Sequence, residues 1–410
     1  MDFPVCRSYF HPMFKSISEI CLIQLKKGAS DHPRSGHPLI ASNLINRIEG
    51  NPQGGDIVVV SDNHGKSIGW GPYNPDSNVA IRLLALETED LDGFDLDHLL
   101  DVRIQEAAAL RHSLGLPSQD TNAYRLLNSE GDRISGLIVD IYGDLTIVFS
   151  SAHWTEKHRA VIEEALQKNL GSETILWHPM PGELIQDGWT QTKNEQNGHL
   201  EGVLIQELGL TYKIALGTGQ KTGYFCDHRE NRSMIRRLAR GRRVLDVFCY
   251  TGGFSLNAAI GGAQQVVGVD SSEQAVELAQ ENARMNNIGE VDFHRMEALS
   301  ALGSAANYDL IILDPPKLAP SKAELDNAII HYRHLNRDAI RVLPKNGLLF
   351  TASCSAALTM ERFVEVIRDA ARDADKRVSI LKTSGAGPDH PIHPAFPEGN
   401  YLTCLLVGVL

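Results

Sequence analysis

Cysteine is scarce, at 6 of 410 residues. Cys6, Cys21, Cys226, Cys249, Cys354 and Cys404 are irregularly spaced and form no CxxC pair, which excludes a disulfide framework and a zinc knuckle and predicts free thiols. Long apolar runs are missing too. None approaches the roughly 18 consecutive apolar residues of a membrane span, so no membrane partner is expected. The first residues carry Asp2 and a broken apolar pattern where a signal peptide needs an apolar core, so the expected compartment is the cytoplasm. With 42% hydrophobic and 22% charged residues the composition excludes disorder and supplies two or three packed domains. Internal repeats and low-complexity tracts are absent.

A basic excess is also lacking. The net charge is −12, which taken whole argues against a nucleic-acid partner. The average hides an asymmetry: residues 1–95 carry −4, 96–208 carry −9 and 209–410 carry +1. Within that last part Arg229, Arg232, Arg236, Arg237, Arg240, Arg242 and Arg243 fall close together with one acid, Glu230. The 229, 232, 236, 240 series steps at helical spacing, so one face carries four guanidinium groups. Two readings stay open, a solvated helix face or a landing strip for a polyanion, with Arg232, Arg236 and Arg240 as the phosphate contacts.

Short β segments at CLIQL, DIVVV, SIGWG and VAIRLL, punctuated by Gly54-Gly55 and Asn63-His64-Gly65, predict a small β-barrel over 20–92. Helical spacing in DHLLDVRIQEAAALRHSLGL, followed by strands at AYRLL, GLIVDIY and LTIVFS, predicts a central α+β domain over 93–208, with a polar loop at 194–198. From Arg243 apolar strands alternate strictly with amphipathic helices. Domain 209–410 is therefore α/β, a doubly wound parallel sheet covered on both faces.

Ligands of such sheets lie beyond the carboxyl ends of the strands. Asp246 closes the first strand ahead of Phe248-Cys249-Tyr250-Thr251-Gly252-Gly253, where only Gly252 remains of the alternating glycines of a DxGxGxG loop. Asp270 ends the second strand, where a carboxylate accepts both hydroxyls of a ribose, and Glu297 follows the third. A dinucleotide enzyme shows the same first two features. The fourth strand end, Asp314-Pro315-Pro316-Lys317, separates the readings. A prolyl pair fixes φ and removes two N–H donors, giving a rigid corner that turns Asp314 toward the cleft. Dehydrogenases have no use for that corner, whereas enzymes that methylate a planar base with S-adenosylmethionine do. Amine methylases usually follow it with an aromatic ring. Here Lys317 stands in that place, which favours methylation of a ring carbon.

C5 of a pyrimidine is a poor nucleophile and needs a thiolate to add at C6 before it can attack a methyl group. Ser353-Cys354-Ser355 ends the fifth strand and offers that thiol. Cys249, inside the first loop, reads as packing. Asp314 is placed to hold the N3 and N4 edge of cytosine. His390 and His393 form an HxxH pair, but no third ligand type clusters with them, so no metal is expected.

These residues resemble the PUA-domain-containing class I methyltransferases that form 5-methylcytidine in large-subunit ribosomal RNA. The similarity spans about 20–410 and rests on LGTGQKTGYFCDHRENR (216–232), VLDVFCYTGGFSLNAA (244–259), GVDSS (268–272), LDPPKLAPSK (313–322), SCS (353–355) and DHPIHPAFPEGNYL (389–402). The resemblance implies a PUA barrel, a Rossmann-like methyltransferase sheet and Cys354 as nucleophile. It implies further that 216–232 packs over S-adenosylmethionine, with Tyr224, Asp227 and Arg229 near it, and that Asp246, Phe248, Tyr250, Gly252, Asp270, Ser271, Glu297 and Asp314 surround the cofactor. The implied partner is RNA, with Lys317 on the substrate side. A uridine-C5 or other RNA-base methyltransferase and a non-catalytic RNA-binding assembly factor are the alternatives. Oligomeric state, a homodimer included, is not legible.

Overall fold

The structure is a computed structural model that describes residues 21–89, 95–172, 174–190, 202–215, 223–305, 307–318 and 322–410. Cys6, the polar stretch 194–198 and the 216–222 and 319–321 parts of the quoted motifs lie outside these residues.

Near the N-terminus a five-stranded sheet runs in the order Ile45–Glu49, Cys21–Leu25, Ile57–Ser61, Ser67–Pro72, Ala85–Leu86, and Leu39–Ala41 pairs separately with Val79–Arg82. Ile23, Leu25, Val58, Val60 and Ile68 of the first sheet share one core with Ile40, Ala80 and Ile81 of the second, the small barrel that the spacing predicts. Gly69 and Gly71 explain their places in SIGWG: a Cβ there would meet Ala85 O at 2.2 Å and Arg82 O at 2.0 Å, so only glycine lets the strands approach.

The predicted central helix spans Leu96–Ser113, its N-terminus capped by Asp95, whose carboxylate accepts from the backbone N–H of Asp97 and His98. It packs on a four-stranded sheet ordered Thr174–Pro179, Leu145–Ser150, Leu137–Tyr142, Ala123–Asn128. Leu99, Leu126 and Trp154 of this unit bury against Val59, Trp70 and Leu84 of the barrel, so the two sheets share a core. Val203–Glu207 and Leu210–Ile214 form a hairpin turning at Leu208 and Gly209, both at positive φ (52° and 76°). The boundary expected at 208/209 therefore falls within a paired unit.

The last part forms a seven-stranded sheet of β1 (Arg243–Val247), β2 (Gln265–Asp270), β3 (Val291–Arg295), β4 (Leu310–Leu313), β5 (Leu348–Ser353), β6 (Val378–Ser384) and β7 (Thr403–Val409). Their order is β3-β2-β1-β4-β5-β7-β6, parallel except for β7. Helices α1 (Arg229–Leu238), α2 (Gly253–Ile260), α3 (Glu273–Met285), α4 (Ala298–Ser304), α5 (Leu325–Val342) and α6 (Met360–Asp373) alternate with the strands, α1 preceding β1. Every residue of β4, β5 and β7 is buried, as a strand covered on both faces requires. The chain reverses direction of strand order between β1 and β4. Their carboxyl ends open into the site.

Candidate active site

A cavity of about 900 Å³ lies beyond the ends of β1, β2, β4 and β5. Phe248, Tyr250, Asp270 and Ser271 line one side, and Asp314, Lys317 and Cys354 another. Arg125, Asn128 and Gly131 of the central unit and His390, His393 and Tyr401 of the C-terminal loop complete the wall.

The loop after β1 owes its shape to backbone conformation. Phe248, Tyr250 and Gly252 all take positive φ (68°, 48° and 85°), so two aromatic residues occupy the left-handed positions that glycines would fill without strain. Hydrogen bonds hold them there. Phe248 N and Cys249 N both donate to Val269 O at 2.9 and 3.0 Å, and Gly252 N donates to Cys249 O at 2.8 Å. Asp270 joins this loop to the next one, because its carboxylate accepts from Tyr250 N at 3.0 Å and Ser272 N at 2.9 Å. Tyr224 also lines the cavity, with the Arg232 guanidinium 4.8 Å from its ring centroid.

Asp246 sits beneath this surface. It is fully buried, is absent from the cavity wall, and accepts from Ser255 Oγ at 2.6 Å through Oδ2, while Oδ1 has no hydrogen-bond partner. Burial pushes its carboxyl up to about 7. Glu297 is exposed at the start of α4 and does not reach the wall.

Opposite the loop, Asp314 lies where β4 ends, 3.3 Å from His228 Nε2. Cys354 lies one strand over. Its neighbours Ser353 and Ser355 are fully buried; Ser353 Oγ donates to Tyr332 Oη at 2.9 Å and accepts from Ser355 N at 3.3 Å. The two serines anchor the turn and leave Cys354 half-buried on the cavity wall. Cys249 has the opposite setting, 4% exposed, off the wall and in the core, where burial drives its thiol well up. The described cysteines form no disulfide.

The expected arginine strip is corrected. Arg229 and Arg232 are each 4% exposed, because α1 turns that face inward. Arg232 binds Glu207 bidentately at 2.6 and 2.8 Å, and Arg229 donates to Asp389 Oδ2 at 2.9 Å and to Ala123 O at 2.9 Å. Arg236 is half-buried against Asn257 Oδ1 and Leu208 O, and Arg240 lies exposed beyond the end of α1. The helical spacing was real, but it tracks buried counter-charges. Arg229 accordingly lies behind the cavity wall.

His390 and His393 have local partners: His390 Nδ1 is 3.1 Å from Asp389 Oδ1, and His393 Nδ1 accepts from Ala395 N at 3.1 Å. Among the described residues no group of three His, Cys, Asp or Glu is placed to hold a metal ion. Asp227, which the resemblance puts near the cofactor, lines the cavity, and its neighbour His228, also on the wall, is the residue that the sequence reading does not single out. Tyr401 Oη donates to Asp227 Oδ2 at 2.7 Å; burial alone would raise that carboxyl, but His228, His390, this bond and Arg125 outweigh it and lower it. For His228 the signal is a position in the 216–232 segment, with nothing in the chain to mark its contact with Asp314 86 positions later.

Residues 192–395 match the model of an S-adenosylmethionine-dependent methyltransferase family, and residues 23–86 match that of a PUA-like domain. The ribosomal RNA large subunit methyltransferase I of Tolumonas auensis is 34% identical over 91% of this chain and 96% of its own length. That of Escherichia coli is 32% identical over 92% and 96%. The chain belongs to the PUA-containing large-subunit ribosomal RNA methyltransferase I family. A Streptococcus mutans chain described as a SAM-dependent methyltransferase shares the fold at TM-score 0.77, covering 95% of this methyltransferase and 100% of that chain with 22% identity. A methyltransferase in complex with SAH superposes at TM-score 0.79, covering 95% and 99% with 22% identity.

The methyltransferase depends on S-adenosylmethionine, and the cavity fits that cofactor. Asp270 retains acceptor capacity beyond its two backbone bonds, since a carboxylate offers about four lone-pair sites. Ala275, Leu278, Phe149, Phe248 and Tyr250 supply apolar lining of the kind an adenine ring requires.

Proposed function

We propose that this methyltransferase forms 5-methylcytidine in large-subunit ribosomal RNA through a covalent adduct at Cys354. The observation that carries the reading is the convergence of Cys354, Asp314 and Asp270 on one cavity, from the adjacent strands β5 and β4 and from β2 beside the first loop. When bound, S-adenosylmethionine supplies an electrophilic methyl group. Asp270, Ser271, Tyr250 and Phe248 hold it. The Cys354 thiolate adds to C6 of cytosine, its electron pair forming the S–C6 bond and the C5=C6 pair moving to give C5 enamine character. Asp314 meets the N3 and N4 edge. The C5 pair takes the methyl group, S-adenosylhomocysteine keeping the electron pair of the broken sulfur–methyl bond, and solvent water then takes the C5 proton, so that C5=C6 re-forms, S–C6 breaks and the thiolate returns. Lys317, exposed at the cavity rim, faces the RNA. We assign 20–92 to the PUA-like unit, extend the central unit through the hairpin, and place the enzyme in the cytoplasm. No helix among the described residues is long and apolar enough to cross a membrane.

Bisulfite sequencing of total RNA from a deletion strain and its parent tests the substrate. The expected result is one large-subunit cytidine that converts only in the deletion strain. Identical conversion in both strains contradicts the reading.

A further inference from the structure

His228 is a buried polar residue on the cavity wall that takes no part in the chemistry at C5 and C6. His228 is 4% exposed and touches Asp314 through Nε2. Its other nitrogen is held as well. Asn231 Nδ2 lies 3.2 Å from His228 Nδ1, and the same amide nitrogen donates to Gly385 O at 3.1 Å. At the far end Ser384 Oγ donates to Asn231 Oδ1 at 2.8 Å. These two bonds fix which end of the amide faces the imidazole, so in the neutral ring Nδ1 accepts and Nε2 carries the proton. The ring cannot swing. Phe254 and Phe350 meet it edge-on at centroid distances of 5.3 and 6.4 Å.

We propose that His228 is a positioning residue for Asp314, donating its Nε2–H to Oδ1 at the end of a Ser384–Asn231–His228 relay and leaving Oδ2 to accept from the exocyclic amine of cytosine. The inference rests on the cytosine reading given above. An oriented carboxylate accepts from the amine of cytosine, whereas uracil presents an oxygen acceptor at the same place, so the relay also supports the choice of base. His228 is faced by Asp314 from the end of β4, by Asp227 from its own segment and by Arg232 from α1. Asp314 is faced in turn by His228, with Asp246 and Cys404 buried nearby. Burial pulls His228 toward the neutral form, the two carboxylates more than offset this, and the net direction is upward. In either protonation state Nε2 keeps its hydrogen toward Asp314.

The test compares full-length wild type, His228→Leu and His228→Gln in transfer of labelled methyl from S-adenosylmethionine to large-subunit RNA isolated from the deletion strain. His228→Leu should lower kcat about 100-fold, the order expected for misplacing a reacting group, with S-adenosylmethionine affinity within about twofold. The loss should fall in kcat rather than in KM for RNA, because the missing donor leaves Asp314 misplaced in the reacting complex. His228→Gln, whose Nε2–H replaces that of the ring, should recover at least about tenfold of the kcat loss. Wild-type kcat in His228→Leu overturns the proposal, as do equal kcat losses in both variants. If the leucine variant does not fold, His228→Asn, whose amide is too short to reach Asp314, takes its place with the same two outcomes. Failure of the reaction reading itself is seen separately, as a wild-type digest containing no 5-methylcytidine.

Discussion

Two cysteines compete for one role, and their surroundings separate them. Cys354 lies half-buried on the cavity wall between two anchored serines, whereas Cys249 is sealed in the core with its thiol driven up by burial. Cys249→Ala should therefore cost stability alone, about 1–2 kcal/mol for a small cavity, while turnover persists in a denaturation-matched assay. Asp270 has a double duty. Its carboxylate holds the Tyr250 and Ser272 amides and remains able to accept ribose hydroxyls. Asp270→Ala should weaken S-adenosylmethionine binding by about 1.5–3 kcal/mol, read by calorimetric titration, and unchanged affinity in the folded variant would remove it from the cofactor site.

At the scale of elements, α1 carries the clearest lesson. Arg232 is buried against Glu207, so Arg232→Met leaves a buried carboxylate with only the Arg229 guanidinium, 3.7 Å away, and should destabilise the fold by about 3–5 kcal/mol in a denaturant titration. Arg240→Glu, at an exposed position, should change stability by less than about 0.5 kcal/mol. Loss of RNA affinity without loss of stability in Arg232→Met would restore the landing-strip reading. Spacing along a chain reveals which side chains share a face, but not whether that face meets water. The sheet strands were legible because strands covered on both faces are apolar throughout, as β4 and β5 are. The partners of α1 were not, since Glu207 and Asp389 lie 25 and 160 positions from the arginines they bind. Likewise the loop after β1 hid its conformation, because Phe248 and Tyr250 take backbone angles that their side chains do not advertise.

At the scale of the molecule, the cavity is assembled from the central sheet, the methyltransferase sheet and the C-terminal loop, and Asn128 Nδ2 seals the seam by donating to Pro391 O at 2.9 Å. Its buried carboxyls give stability a predictable pH dependence. Asp246 has a folded value of about 7, above the unfolded value near 3.8, so its contribution is fully present below the unfolded value and is lost as pH rises toward 7. Asp246→Asn should flatten that decline, with a difference of order a few kcal/mol between acid and neutral pH, in denaturant midpoints measured across the window. A decline as steep as that of wild type would show that Asp246 does not cause it. The central claim is that Cys354 is the nucleophile for a pyrimidine C5. RNA carrying 5-fluorocytidine at the target decides it, because fluorine at C5 cannot leave as the proton does. With S-adenosylmethionine present, the wild-type enzyme should yield a protein–RNA adduct that survives a denaturing gel and is absent in Cys354→Ala. Persistence of the adduct in Cys354→Ala, or methylation of ordinary RNA with no adduct ever forming on the fluorinated one, would contradict the account.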